Sequence, residues 1–233
     1  MAVPIGFRLE KASPEDMKDV FALMMDAYVD DEVWQTTVKD CDQKEILPWT
    51  LKTFTPRWTM PDIETYKIIE EKSGRLAAWA SFQTPWKYVS AMTPELKTIA
   101  QSKEVPPALP GTNMEAFQSL FEMLNGAYKY GYNPEEDYHR KGTTVHPDFQ
   151  KKGLGTALTV FWNDIADKTT GDKTWCPCRP TSIKMFRDHG FQDVGEIDSQ
   201  LERWGGSRAN SITYITVRHG PGSEAEASGT AVA

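Results

Sequence analysis

The stretch TTVHPDFQKKGLGTALTVFW, Thr143 to Trp162, starts β-branched, turns at Pro147, passes a basic glycine-containing loop and ends in an apolar helical pattern. Leu154, Ala157, Leu158, Phe161, Trp162 and Ile165 recur on one side of a predicted helix from Gly153 to about Asp167. The first N–H groups of a helix have no internal partners and carry partial positive charge. Gly153 and Gly155 lack Cβ atoms, so an anion can come close to that backbone. Lys151 and Lys152 add formal charge. Gln150 to Thr156 therefore reads either as a phosphate or pyrophosphate cradle or as a solvated turn before an ordinary helix. Two other phosphate loops fit poorly. A dinucleotide fingerprint needs glycine where Leu158 stands, and a P-loop needs lysine where Thr156 stands.

Working outward, Phe7 to Lys11 reads as a strand, and Ser13-Pro14-Glu15-Asp16 opens a helix with Met17, Val20, Phe21, Met24 and Tyr28 at helical spacing. Lys44 to Met60, interrupted by prolines, predicts a helix and a loop. Thr65 to Glu70 and Leu76 to Phe82 are strands joined by a turn at Lys72-Ser73-Gly74-Arg75. Residues 85–136 form an insertion with a stiff linker, Val105 to Gly111, and a helix that Thr112 and Glu115 open as a capping box. Tyr138 to Val145 and Thr174 to Cys178 are strands, Ser182 to His189 a short helix closed by Gly190, and Phe191 to Ile197 and Ile212 to Val217 the last strands. The pattern predicts a mixed α/β domain over 1–220 whose sheet is not purely parallel, and a disordered small, polar tail over 221–233.

The bulk numbers exclude several classes. A net charge of −7 over 233 residues argues against a broad nucleic-acid footprint. No apolar run is long enough to span a membrane, and MAVPIGFRLEK lacks the apolar core of a secretion signal. Three cysteines, Cys41, Cys176 and Cys178, suit neither a disulfide framework nor a metal site, so no metal is expected and the compartment reads as cytoplasmic or nuclear.

Val145-His146-Pro147-x-x-Gln150-x-x-Gly153-x-Gly155 resembles the acetyl-CoA signature of the GCN5-related N-acetyltransferases, Gln/Arg-x-x-Gly-x-Gly/Ala. Lys184-Met185-Phe186-Arg187-Asp188-His189-Gly190-Phe191 resembles that family's second signature, Leu-Tyr-x-x-x-Gly-Phe. The order of elements agrees from Phe7 to Val217. The resemblance implies a mostly antiparallel central sheet with helices on both faces and a splayed central strand pair. It implies acetyl-CoA as co-substrate, with backbone groups of Thr144, Val145 and His146 against the pantetheine arm. The N–H groups of Gln150, Lys151, Lys152, Gly153, Leu154, Gly155 and Thr156 would hold the pyrophosphate. The side chain of Gln150 is free to brace the turn instead.

Amide formation from a thioester needs a proton acceptor for the amine, a donor for the carbonyl oxygen and an exit for the thiolate. The resemblance puts His139 at the base position of the histone-type members, with Asp137 on the same strand face as second candidate or as an orienter of His139. The Val145 N–H is the candidate oxyanion donor. Many family members carry a tyrosine that protonates the departing sulfur, and Phe186 stands there in this chain. Asp30, Asp31 and Glu32 are candidates to hold the amine, and Trp34, Trp79, Phe82 and Trp86 to line an apolar pocket. The expected acceptor is a primary amine on a small molecule, acted on by a monomer or homodimer. Two alternatives stay open: a different chemistry on the same fold, which Phe186 motivates, and a CoA-binding regulatory module.

Overall fold

In the computed structural model, which describes residues 3–102, 104–168 and 172–221, the alternating segments pair into one seven-stranded sheet. The strands are β1 (Phe7–Lys11), β2 (Ile63–Glu70), β3 (Leu76–Gln83), β4 (Tyr138–Val145), β5 (Lys173–Cys178), β6 (Gln192–Asp198) and β7 (Ile212–His219), in the order β1-β2-β3-β4-β5-β7-β6. Every neighbouring pair is antiparallel except β4 and β5, which run parallel.

Helices cover both faces. Helix α1 (Met17–Ala27), α2 (Glu32–Val38) and α3 (Gln43–Trp58) follow β1; α4 (Pro94–Ala100) and α5 (Met114–Leu124) lie between β3 and β4; α6 (Leu154–Ala166) and α7 (Ile183–Arg187) flank β5. On one face α6 buries Leu154, Leu158 and Trp162 against Phe82 and Tyr138. The Phe82 and Trp162 rings stack at 3.9 Å. On the other face Trp79 joins Val20 and Phe21 of α1 in the core. The mixed sheet with helices on both sides follows the sequence expectation. No helix among the described residues is long and apolar enough to cross a membrane.

Two irregularities shape the middle of the sheet. The β4–β5 ladder has only the pairs Tyr138↔Thr174 and His139↔Trp175, although β4 continues to Val145 and β5 to Cys178. The strands part beyond that last rung, as the resemblance implied. Opposite, the β3–β4 register slips between Ser81, which faces Gly142, and Phe82, which faces Arg140. Lys141 is the extra residue of this β-bulge. Gly142 is required there, because a Cβ would meet the Trp79 indole at 2.9 Å.

Several local readings needed correction, and α2, like α4, was not anticipated. Helix α3 runs unbroken through Pro48 and Pro56. The rings of Trp49, Phe54 and Trp58 interlock with Phe21, Phe117 and Phe121, and that burial outweighs the backbone bonds the prolines remove. The cap of α5 is Asn113, whose Oδ1 accepts from the Ala116 N–H, while the Thr112 hydroxyl faces the Cys41 thiol. Helix α4 is capped by Thr93, with Pro94 in its first turn. The tail expected to be disordered lies, beyond residue 221, outside the described residues.

Candidate active site

The gap between β4 and β5 is where the sequence candidates meet. Register decides which backbone groups face it. The His146 N–H donates to Ala77 at 2.9 Å, and Thr144 lies opposite Trp79, so both are directed towards β3. Alternation turns the N–H groups of Thr143 and Val145 away from β3, into the gap. Of the three residues expected to present backbone to an inserted arm, Val145 alone does so, and Thr143 joins it.

Beyond Val145 the chain turns sharply. The Gln150 Nε2 donates to the Val145 carbonyl at 3.3 Å, the bracing role considered for it. The His146 Nδ1 accepts from the Asp148 N–H, and its Nε2 lies 3.1 Å from Arg75. Arg75 also binds Asp148 at 2.8 Å, and this hydrogen bond holds the Asp148 carboxyl below its usual range. His146 is thus a structural part of the turn.

Lys151, at φ 61°, and Gly153, at φ 81°, take left-handed conformations that swing the chain onto α6. No side chain caps α6, and its first turn holds no acidic residue. The free N–H groups of Leu154, Gly155 and Thr156 thus lack the usual competitor for an anion. The Leu154 side chain is buried in the core, leaving only its backbone to the loop. Lys151 and Lys152 are exposed, with the Lys152 ammonium 4.8 Å from the Phe149 ring centroid. Loop and helix start fit a pyrophosphate.

The two faces of β4 differ in chemistry. His139 is 2 % exposed, packs on Tyr132 at 4.8 Å, and its Nδ1 has no hydrogen-bond partner. Burial, helped by the Lys141 charge, pushes its pKa well below the ordinary histidine value. His139 is therefore neutral at pH 7 and a weaker base than the sequence suggested. Asp137 does not orient it: its Oδ2 accepts from the Trp175 indole at 3.0 Å and from the Asn133 N–H at 2.9 Å. Burial raises the Asp137 pKa.

The sequence reading missed Lys141. Its ammonium lies 5.7 Å from the Tyr132 centroid, on the His139 face, and no carboxylate among the described residues is within ion-pair distance. Burial and then the Arg57 charge pull its pKa down to about 7, against a smaller opposing pull from Asp62. Arg57 is itself held by Asp62 through two bonds of 2.8 Å, with the Trp86 indole on the same carboxylate at 2.7 Å. Trp86 is thus a clamp as well as a core ring. Lys141 could have been found from strand alternation, which puts it two residues past His139 on the same face.

Arg140 faces the other way. It is 4 % exposed, donates from Nε to Thr143 at 2.6 Å and from Nη1 to Thr159 of α6 at 2.9 Å, and leaves Nη2 without a partner. Its guanidinium lies 5.1 Å from the Phe82 centroid and 4.8 Å from that of Phe186. Phe186 is buried and edge-on to Phe191.

The substrate candidates scatter. The Asp31 carboxylate caps α2 at the Trp34 N–H and lies 3.7 Å from Arg179. Glu32 accepts from the Ser207 N–H at 2.6 Å, and Asp30 is exposed. The Asp31 and Glu32 carboxylates are thereby committed within the protein. Trp34 belongs to a core cluster with Trp49 and Phe117. Trp79 and Phe82 lie on opposite faces of β3, since Trp79 packs on α1 and Phe82 on α6, so they cannot line one pocket.

No protein-family model matches the chain. Solved structures do. A mosquito arylalkylamine N-acetyltransferase-like protein superposes with TM-score 0.59 at 12% identity, over 91% of this chain and 99% of its own. An agmatine N-acetyltransferase variant gives 0.57 at 12%, over 92% and 99%. A GCN5-related N-acetyltransferase from Kribbella flavida gives 0.52 at 12%, over 93% and 99%. The fold is that of the GCN5-related N-acetyltransferases.

Proposed function

We infer that the protein is an N-acetyltransferase that uses acetyl-CoA to acylate a primary amine on a small molecule. The observation that carries this reading is the junction of a parted β4–β5 pair with an uncapped, glycine-lined α6 start flanked by Lys151 and Lys152. The N–H groups of Leu154, Gly155 and Thr156 and the two lysines hold the pyrophosphate. Thr143 and Val145 offer strand-like partners to the pantetheine arm. The bound coenzyme supplies an activated acetyl group at the apex of the gap.

The amine approaches from the His139 face, where Tyr132 and Lys141 gather. Lys141, half-neutral near pH 7, is the better proton acceptor, with the neutral His139 beside it. The arylalkylamine and agmatine enzymes named above favour a small amine as acceptor.

One observation favours a second reading, a CoA-binding module without turnover: Phe186 has no proton for a leaving sulfur. Calorimetric titration with acetyl-CoA, followed by thiol release against a panel of aryl and alkyl amines, separates the two. Micromolar binding with amine-dependent thiol release supports the transferase. Binding without release supports the module, and no binding to folded protein removes both.

A further inference from the structure

Arg140 is a buried cation without a counter-ion. No carboxylate pairs with it among the described residues, and one of its nitrogens, Nη2, has no hydrogen-bond partner. Such groups are rare, because a desolvated charge is costly unless something answers it. Everything around the guanidinium holds it in place. Thr143 and Thr159 accept two of its bonds, and Thr159 is fixed by donating to the Gly155 carbonyl at 2.8 Å. The Phe82 and Phe186 rings enclose it at 5.1 and 4.8 Å.

Its position in the sheet is informative. His139 and Trp175 form the last rung between β4 and β5, so Arg140 is the first β4 residue past the apex of the gap. Across from it, β5 continues with Cys176 and Cys178, whose sulfurs lie 3.5 Å apart. Burial raises the Cys176 pKa well above the usual thiol value, so that thiol stays neutral and does not supply the missing charge. From Arg140 to Val145 is about 16 Å of strand at ~3.3 Å per residue, a length that suits an extended pantetheine arm running from the α6 start to the apex.

We propose that Arg140 is the counter-charge for the thiolate that leaves acetyl-CoA, doing by electrostatics at the apex what Phe186 cannot do by proton donation. The inference rests on the transferase reading above. The amine nitrogen forms a C–N bond to the acetyl carbonyl carbon. The C–S bond breaks with its electron pair going to sulfur, and one proton passes from the nitrogen to the base on the opposite face. The thiolate sits against Nη2 and takes a proton from solvent as coenzyme A departs. Atoms and charge balance as amine plus acetyl-CoA giving amide plus coenzyme A. No acid is consumed, so a phenyl ring is acceptable where the family resemblance leads one to expect tyrosine.

The test reads the thiol directly. Coenzyme A is bound to the full-length protein and its ultraviolet thiolate absorbance is followed against pH, with the desulfo-coenzyme A complex as blank to remove the protein's own cysteines. A free thiol titrates near 8.5. The expected result is ionisation of the bound thiol at least about one unit lower, a tenfold shift in its acidity. Arg140→Gln should return it to the free value and cut kcat on the order of 10²-fold. Desulfo-coenzyme A affinity should stay within about threefold, and Arg140→Lys should restore part of both effects. An unshifted thiol in the wild-type complex, or a shift that survives Arg140→Gln, overturns the proposal. If Arg140→Gln does not fold, an unshifted thiol in the wild-type complex still overturns the proposal. Failure of desulfo-coenzyme A to bind at all would instead overturn the transferase reading beneath it.

Discussion

Arg140 and Lys141 are adjacent in the chain, yet their charges lie on opposite faces of β4. The Arg140 guanidinium rests against Phe82 and Phe186 on the α6 and α7 side, and the Lys141 ammonium rests against Tyr132 on the other. Lys141 occupies the bulge, and the parted β4–β5 pair begins beside both. One cation is thus set on each side of the gap where a thioester and an amine would meet.

Lys141→Met should lower kcat/KM by about 10²- to 10⁴-fold if Lys141 takes the amine's proton. In the wild type kcat/KM should rise with pH through an inflection near 7, and the variant should lose that inflection. Wild-type stability should also depend on pH. The folded pKa lies below the unfolded value near 10.4, so the unfolded chain binds the extra proton between about 7 and 10. Wild-type stability therefore rises with pH across that window, and the penalty for charged Lys141 is fully present below it. Urea melts should find Lys141→Met more stable than the wild type at pH 6, with the difference shrinking by pH 9.

The Asp62 carboxylate is fully buried and holds both Arg57 and Trp86. Asp62→Ala leaves a guanidinium without its partner and should cost about 3–5 kcal/mol in denaturant unfolding. Asp62→Asn keeps the shape but removes the one nearby charge that supports protonated Lys141. Its kcat/KM inflection should therefore move to lower pH than in the wild type.

The two glycines of the loop should separate folding from binding. Gly153 has φ 81°, so Gly153→Ala forces a side chain into the left-handed region and should cost about 1–2 kcal/mol. A Cβ at Gly155 meets the Met185 sulfur at 3.4 Å and Val145 Cγ2 at 3.8 Å, ordinary contact distances. Gly155→Ala should melt no lower than the wild type, yet bind acetyl-CoA about tenfold more weakly, because the methyl between Met185 and Val145 narrows the mouth of the gap the coenzyme would enter. Calorimetry paired with thermal melts checks both.

Lys151→Gln combined with Lys152→Gln should leave the fold intact, since both side chains are exposed. Coenzyme affinity should fall on the order of tenfold at low salt, and less at high salt where the lysines are already screened. Equal losses at both salt concentrations would count against a phosphate contact.

The fold was legible because its signals are local. The Tyr138–Val145 strand and the Leu154–Ala166 helix carry their periods on their face, and the glycine loop between them has few readings. Helix α3 was misread because proline is a local signal and aromatic interlocking with α5 is not. The site was harder to read. Lys141 gains its character from burial and from Arg57, 84 residues away, and Arg140 from partners 19 and 46 residues away, Thr159 and Phe186. Asp31 and Glu32 looked available because nothing local announces a helix cap or a distant Ser207 amide.

The separation of β4 from β5 after one short ladder leaves the middle of the sheet with a seam of unspent backbone groups. On the transferase reading, an outside molecule closes that seam like a borrowed strand. Ligand that binds only the folded chain raises its stability with the logarithm of concentration. The lifetime of this protein would then follow the local supply of coenzyme A, making a nutrient-linked metabolite a chaperone for the enzyme that spends it.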